Sequence, residues 1–395
     1  MSESPTQSPM EPDTTPCPSP RPHIPVEIIS DEEMALIDAA LAAACPSISC
    51  STQLQRGVRS IHSITLLSKR RVSGCTESGS SPTRDIEDGG NRIVSPGKKN
   101  RLKESLLQRF RRKRGLAVTD ITATEWCEKQ MEYFLLLGKP EASKAMKAGS
   151  LRHAALEDEV IKRVKVQTQC IEDVWAIKLM NFVVGANQLL FDGLTRELPI
   201  VGFAEGVWMV GVIDEIRMRS EENERFPILV DTKTRMRPTL PSEAQRRNGR
   251  LQLMCYKHIW DNLVADEFPF AKFFDFFSLN PNCILSQEIR ANTTRSGFPA
   301  ETLNDLVRYF RNTCSMLPPA HNQLLLRYEL QGGETLLGED EFEHDSNWIN
   351  DQIRSCLEFW RGDREASCAP MEERWKCKSC SFASVCPASS SSPTS

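Results

Sequence analysis

Val207-Trp-Met-Val-Gly-Val-Ile-Asp214-Glu-Ile-Arg217 and Phe226-Pro-Ile-Leu-Val-Asp231-Thr-Lys233 decide how this chain is read. In the first, Val207, Met209, Gly211 and Ile213 recur at period two; in the second, Ile228-Leu229-Val230 leads straight into charge. Both patterns predict strands, over Ile200 to Arg217 and Phe226 to Lys233, joined by the polar hairpin loop Ser220-Glu-Glu-Asn-Glu-Arg225. Two carboxylates, Asp214 and Asp231, then stand at or near the ends of neighbouring strands, and alternation puts Lys233 on the same face as Asp231. Phosphodiester hydrolysis needs that set: hard oxygen ligands to hold Mg²⁺ against a phosphate, and a cation to position or help deprotonate the attacking water. Asp-x-Lys alone is a common strand ending, and its weight comes from its neighbours.

Downstream, Ser242 to Leu263 follows Pro238 and Pro241 and has helical spacing, which places Gln252 and Tyr256 on one face. Upstream, Ser143 to Val166 alternates at helical period, so His153 and Glu157 share a face. A lone histidine there is ordinarily a hydrogen-bonded structural residue, and Glu157 reads as a solvated helix-face acid. Phe273 to Leu279 reads as an aromatic strand stopped by Asn280-Pro281, and 300–362 as mainly helical. Helix, strands, helix, strand is an α/β order, and there is no internal repeat.

The first hundred residues lack sustained apolar periodicity and are rich in Ser, Pro, Thr and charge, the composition of a disordered arm (1–100); 388–395 is a Ser-rich disordered tail. Between them, 101–387 is long enough for one substantial core. No apolar run approaches the ~20 residues needed to span a bilayer, and the start has neither a basic leader nor an apolar stretch, so a soluble intracellular protein without membrane attachment is expected. The net charge of −4 hides a stripe, Lys98 to Arg114, with nine Lys or Arg against one Glu. It suits a phosphate backbone or a nuclear-localisation signal; with no acid-poor leader for mitochondria, the nucleus is the expected compartment. Within the arm, Val26-Glu-Ile-Ile29 followed by Ser30-Asp-Glu-Glu33 resembles a SUMO-interaction motif, a β-prone segment with an acidic flank that adds a strand to a partner's sheet. The competing reading is a nascent helix from Asp31 to Ala44.

Fourteen cysteines without a secretory signal are expected to be reduced thiols. Cys377-x-x-Cys380-x-x-x-x-x-Cys386 offers three thiolates within ten residues and points to a metal centre. The spacing leaves the fourth ligand open among Cys127, Cys356 and Cys368, and the metal open between zinc and iron.

Taken together, Leu107-Gln-Arg-Phe-Arg-Arg112, Val118-Thr-Asp-Ile-Thr-Ala-Thr-Glu-Trp-Cys127, Gly149-Ser-Leu-Arg-His153, Gly211-Val-Ile-Asp-Glu215, Asp231-Thr-Lys-Thr-Arg-Met-Arg-Pro238 and Gln252-x-x-x-Tyr256 resemble the RecB-type branch of the PD-(D/E)xK nucleases. Across 105–387 the chain looks like the exonuclease V family. The resemblance implies a PD-(D/E)xK restriction-endonuclease-like core, a mixed sheet flanked by helices, with a helical iron-sulfur-bearing region, over 101–387. It implies that His153, Asp214 and Asp231 are metal-site residues for Mg²⁺, that Lys233 is the catalytic lysine, and that Gln252 and Tyr256 orient the site or the DNA. It selects Cys127 as the fourth ligand beside Cys377, Cys380 and Cys386, and a [4Fe-4S] cluster as their occupant. The expected function is an Mg²⁺-dependent single-stranded DNA exonuclease in DNA repair or genome maintenance, acting as a monomer. The alternatives are a RecB-type endonuclease, a helicase-associated nuclease, and a non-catalytic DNA-binding scaffold. Asp231 stands where glutamate is commoner in the wider family, one methylene shorter in reach.

Overall fold

The apolar stretch before Asp214 folds back on itself. Glu205 and Gly206 take φ of 48° and 79°, the left-handed pair that closes a two-residue hairpin. The one strand expected over 200–217 is therefore two, β4 (Leu194–Ala204) and β5 (Val207–Glu221), antiparallel from Ala204↔Val207 to Leu194↔Arg217. The structure, a computed structural model, describes residues 26–30, 104–138, 140–160, 162–221, 224–332 and 335–388.

Ahead of β4 lie β1 (Val26–Ser30), α1 (Leu106–Arg111), β2 (Leu116–Ala117), α2 (Val118–Trp126), α3 (Glu128–Leu137), α4 (Lys144–Asp158), β3 (Lys162–Val166) and α5 (Ile171–Asp192). After β5 come β6 (Glu224–Arg235), α6 (Glu243–Val264), α7 (Phe270–Phe277), α8 (Gln287–Arg295) and α9 (Leu303–Cys314). Then follow β7 (Gln323–Leu330), β8 (Leu336–Glu343), α10 (Ser346–Arg361) and the 3₁₀ segments Met371–Ser379 and Ala383–Val385.

The main sheet has six strands in the path β2-β5-β6-β7-β8, with β4 on the other edge of β5. It is mixed: β2 with β5 and β6 with β7 are parallel, and the remaining pairs are antiparallel. Helices flank it, with α5 and α6 against β4 and α9 against α5. One edge of β5 is shared, β2 pairing at Met209 and Val210 and β6 from Glu215 onward. The β5 to β6 pairing ends at Glu215↔Val230, so Asp214 and Asp231 sit at the fork where β6 leaves β5 for β7.

Three further expectations change. The run Phe270-Ala-Lys-Phe-Phe-Asp-Phe-Phe277 is a helix, not a strand: Phe273 and Phe277, four apart, are buried against Trp175 and Trp208. The span 300–362, read as helical, contains β7 and β8. The segment 143–166 breaks after Asp158, and β3 follows.

Helix α5 is long and apolar enough by length and composition to cross a bilayer, so an apolar span of the expected limit does exist. Most of it is buried inside the fold, as in the core helix of a globular protein, with Trp175, Leu179, Met180 and Phe182 inside. Its ends are ordinary, with Glu172 and Asp173 in the first turn and Gly193 at φ 79° just past the last.

Within the arm, Val26–Ser30 is a strand paired in parallel with β3, Val26↔Lys162 to Ser30↔Val166, and lies against α5. The rest of 1–100, Asp31 to Glu33 of the SUMO-like segment, Lys98 to Lys103 of the basic stripe and residues 389–395 of the tail lie outside the described residues.

Candidate active site and cysteine centre

Four elements converge on the fork. Asp214 comes from β5, Asp231 and Lys233 from β6, Gln252 and Tyr256 from α6, and His153 from α4. Helix α4 is capped by Ser143, whose hydroxyl accepts the Met146 N–H at 3.2 Å, and is tied to β7 by Arg152 Nε and Glu329 at 2.8 Å. Burial beside Glu215 is what orients the strands: Glu215, 4 % exposed, takes Arg196 Nε at 2.8 Å and an ion pair from Arg217. Arg196 also donates to the Leu156 carbonyl at 2.6 Å, so this carboxylate links the end of α4 to β4 and β5.

The sequence-predicted residues meet. His153 Nδ1 lies 3.6 Å from Asp214 Oδ2. Lys233 Nζ lies 2.8 Å from Asp231 Oδ2 and donates to Gln252 Oε1 at 2.9 Å, while Gln252 Nε2 faces the Tyr256 hydroxyl at 3.5 Å. Gly211 makes room for this: a Cβ there would stand 2.5 Å from Tyr256 Cε1. Sequence reasoning missed Glu197 on β4, whose Oε1 is 3.3 Å from His153 Nδ1. One ligand atom each from His153, Glu197 and Asp214 lie within 4.8 Å of one another, a group able to hold a metal ion. Glu197 has φ 49° and is missing from the otherwise continuous β4 to β5 register, so its departure from strand geometry aims the carboxylate. Its position facing Asp214 depends on the Glu205-Gly206 hairpin, which the sequence pattern does not mark.

Charge is concentrated here with little hydrogen bonding to offset it. Asp214 Oδ2 and Asp231 Oδ1 are buried without a hydrogen-bond donor among the described residues, and Asp231 Oδ2 is met by the Lys233 ammonium at 2.8 Å. Burial, and then the neighbouring Asp231, holds the Asp214 carboxyl well above the usual range. Burial pushes Asp231 the same way, but Lys233 outweighs it and Asp231 sits below its ordinary value. Lys233 mirrors this: burial favours its neutral form, Asp231 and Asp214 reverse that, and it remains an ammonium. His153 is likewise raised, since Glu197 outweighs its burial. Burial, then Asp214, pushes the Tyr256 phenol up and keeps it protonated. The arrangement thus holds a cation-hungry carboxylate cluster and a lysine suited to polarising water rather than to taking its proton. Orphaned carboxylate oxygens of this kind fit a hard divalent cation.

Glu157 is buried rather than solvated. In the basic stripe, Arg111 is spent on structure: its guanidinium donates to both oxygens of Asp120, at 2.6 and 2.7 Å, and stacks over Trp360. Arg112, Lys113 and Arg114 are exposed. Beside them a cleft of about 500 Å³ is lined by Phe203, Trp208, Phe276, Arg112 and Lys272.

The cysteines converge separately. Cys127, at the junction of α2 and α3, lines one small cavity with Cys377, Cys380, Cys386 and a fifth cysteine, Cys368. Cys356 does not line this cavity: it is buried elsewhere, its thiol donating to the Ile121 carbonyl at 3.7 Å. Gln130 Nε2 donates to Cys380 Sγ at 3.5 Å. The two ends of the domain are also joined without metal, by Tyr133 to the Val385 carbonyl, Lys376 to the Trp126 carbonyl, and Arg364 to Glu128. The donor set of clustered thiols fits a soft centre.

Compared with known proteins, a family described as "Exonuclease V - a 5' deoxyribonuclease" matches residues 105–227, 225–305 and 296–387. Exonuclease V of Danio rerio is 33 % identical over 290 residues, covering 71 % of this chain and 72 % of that protein.

Proposed function

Because the chain belongs to the exonuclease V family and is a deoxyribonuclease, we propose that it is an Mg²⁺-dependent exonuclease acting on single-stranded DNA from 5′ ends. The observation that carries the reading is the fork itself, where the carboxylates of Asp214 and Asp231 are buried side by side and, apart from the Lys233 ammonium on Asp231 Oδ2, Asp214 Oδ2 and Asp231 Oδ1 have no donor among the described residues. His153, Glu197, Asp214 and Asp231 would hold the cation, in a core of PD-(D/E)xK type. Bound there, Mg²⁺ supplies charge stabilisation at the scissile phosphate and lowers the pKa of water. Lys233, kept cationic by the two aspartates, orients the attacking water through its remaining N–H groups. The oxygen of that water forms the new P–O bond as the bond to the leaving oxygen breaks, and the proton the water loses to solvent is replaced by one taken up at the leaving oxygen, giving a phosphate monoester and a hydroxyl. Gln252 fixes the lysine through the 2.9 Å hydrogen bond, and Tyr256 backs Gln252.

Single strands are favoured by the cleft beside Arg112 and Lys272, whose aromatic walls suit unpaired bases. Cys127, Cys377, Cys380 and Cys386 would carry a [4Fe-4S] cluster serving as a clasp, with Cys368 as a thiol neighbour. A role in DNA repair in the nucleus, and a SUMO-type partner at Val26–Glu33, belong to the same proposal; the pairing of Val26–Ser30 as a strand with β3 supports a β-prone segment there.

The test uses end-labelled and circular single-stranded DNA with Mg²⁺, comparing wild type with Asp214→Ala. Release of short products from linear strands alone, reduced at least about 100-fold in the variant, is expected. Cutting of circles would make the enzyme an endonuclease, and no Mg²⁺-dependent loss of either substrate would make it a scaffold. The purified protein should be brown and contain iron and acid-labile sulfide; stoichiometric zinc alone after anaerobic preparation rejects the cluster.

A further inference from the structure

Apart from the fork and the five-cysteine cavity, a third group of ligating side chains gathers where α5 begins. Cys170 is the residue that caps α5, Glu172 is in its first turn, and Cys283 comes from the loop between α7 and α8, more than a hundred residues away. The two thiol sulfurs and one oxygen of Glu172 all lie within 4.8 Å of one another. We propose that Cys170, Glu172 and Cys283 form a binding site for a thiophilic divalent cation such as Zn²⁺, closed by water as fourth ligand.

The geometry is near what such an ion needs. With Zn–S of about 2.3 Å, Zn–O of about 2.0 Å and tetrahedral angles, two thiolates on one zinc stand about 3.8 Å apart and a thiolate and a carboxylate oxygen about 3.5 Å, so no pair has to close by more than about 1.3 Å. The backbone on both sides is already fixed. Asn280 N–H donates to Glu172 at 2.9 Å, Ser286 N–H donates to Asp173 at 3.1 Å, and Gln167 N–H donates to Glu288 at 3.0 Å. Cys283 is held through its own N–H to the Asn280 carbonyl at 3.1 Å and through its carbonyl, which accepts from Leu303 at 3.3 Å. Glu172 is buried while both cysteines are half-buried, which leaves an entry path and room for water. Two thiolates and one carboxylate select zinc or cobalt over magnesium, so the site does not compete with the fork for its cation. A bound ion would staple the start of the core helix α5 to the 280–284 loop.

The full chain, purified under reducing anaerobic conditions, is alkylated with iodoacetamide with and without micromolar Zn²⁺, and each cysteine is followed by peptide mass spectrometry. Zn²⁺ should slow Cys170 and Cys283 together by at least tenfold, with EDTA restoring both rates and buried Cys314 unchanged. Glu172→Gln, which still accepts the Asn280 N–H, should weaken that protection. Added Co²⁺ should give a thiolate charge-transfer band that Cys283→Ser loses. Equal alkylation rates with and without zinc, protection only at millimolar zinc, or recovery of a Cys170–Cys283 disulfide from the reduced preparation would each overturn the site. None of these readouts depends on nuclease activity or on the other cysteine centre.

Discussion

At the scale of single residues, the site depends on side chains that do no chemistry. Gly211 lets Tyr256 pack onto β5, where an added Cβ would stand 2.5 Å from the ring. Gly211→Ala is therefore expected to destabilise the protein by about 1–3 kcal/mol and to lower kcat more than it raises KM, as seen by denaturant titration and steady-state assays. Unchanged kcat would mean that Tyr256 has no part in the site. Glu215 links α4 to the hairpin. Burial alone would raise its pKa, but Arg217 and Arg196 outweigh that and hold it below the usual carboxylate range. Its ionised form therefore stabilises the fold, fully above the unfolded value of 4.5 and progressively less as pH falls through the depressed folded value. Glu215→Gln should lose about 2 kcal/mol at pH 7, with the difference from wild type shrinking below pH 4.5 in melting curves. A gap that stays constant down to pH 3 would contradict this.

At the scale of elements, the apolar period of α6 is legible in the sequence and that of α7 is ambiguous. Helix α6 was legible from Ser242 onward because Ser242 and Gln245 form a capping box and its apolar face repeats. The aromatic run of α7 suggests a strand because phenylalanine favours strands, yet Phe270, Phe273, Phe274 and Phe277 also follow the i, i+3, i+4, i+7 spacing of a helix. Packing decides between them: Phe273 is fully buried among Trp175, Trp208 and Phe268. Phe273→Ala is expected to destabilise by about 3–5 kcal/mol, measurable by chemical denaturation. A change below about 1 kcal/mol would show that this cluster relaxes around the cavity. The Glu205-Gly206 turn was missed because a single glycine inside an apolar run signals a bulge as readily as a hairpin.

At the scale of the molecule, the two ends of the domain meet at the cysteine cavity. Joining Cys127 to Cys377 through a cluster would close a loop of about 250 residues, which by analogy with a disulfide restricts the unfolded chain by ~5 kcal/mol. Cys380→Ser should therefore lower the melting temperature and weaken DNA binding together with activity. An unchanged melting temperature would show that the contacts of Tyr133, Lys376 and Glu128 hold the ends by themselves.

The sequence by itself nominated the candidate site residues. Asp214, Asp231, Lys233, His153, Gln252 and Tyr256 could be named because strand and helix periods are local, and because motifs in combination carry family resemblance. Tertiary structure alone decided that Glu197 joins His153 and Asp214, that Cys356 does not line the cavity while Cys368 does, and that Cys170 meets Cys283. These are contacts between residues far apart in sequence. Their distances depend on how strands fork and helices cross, which no local period encodes.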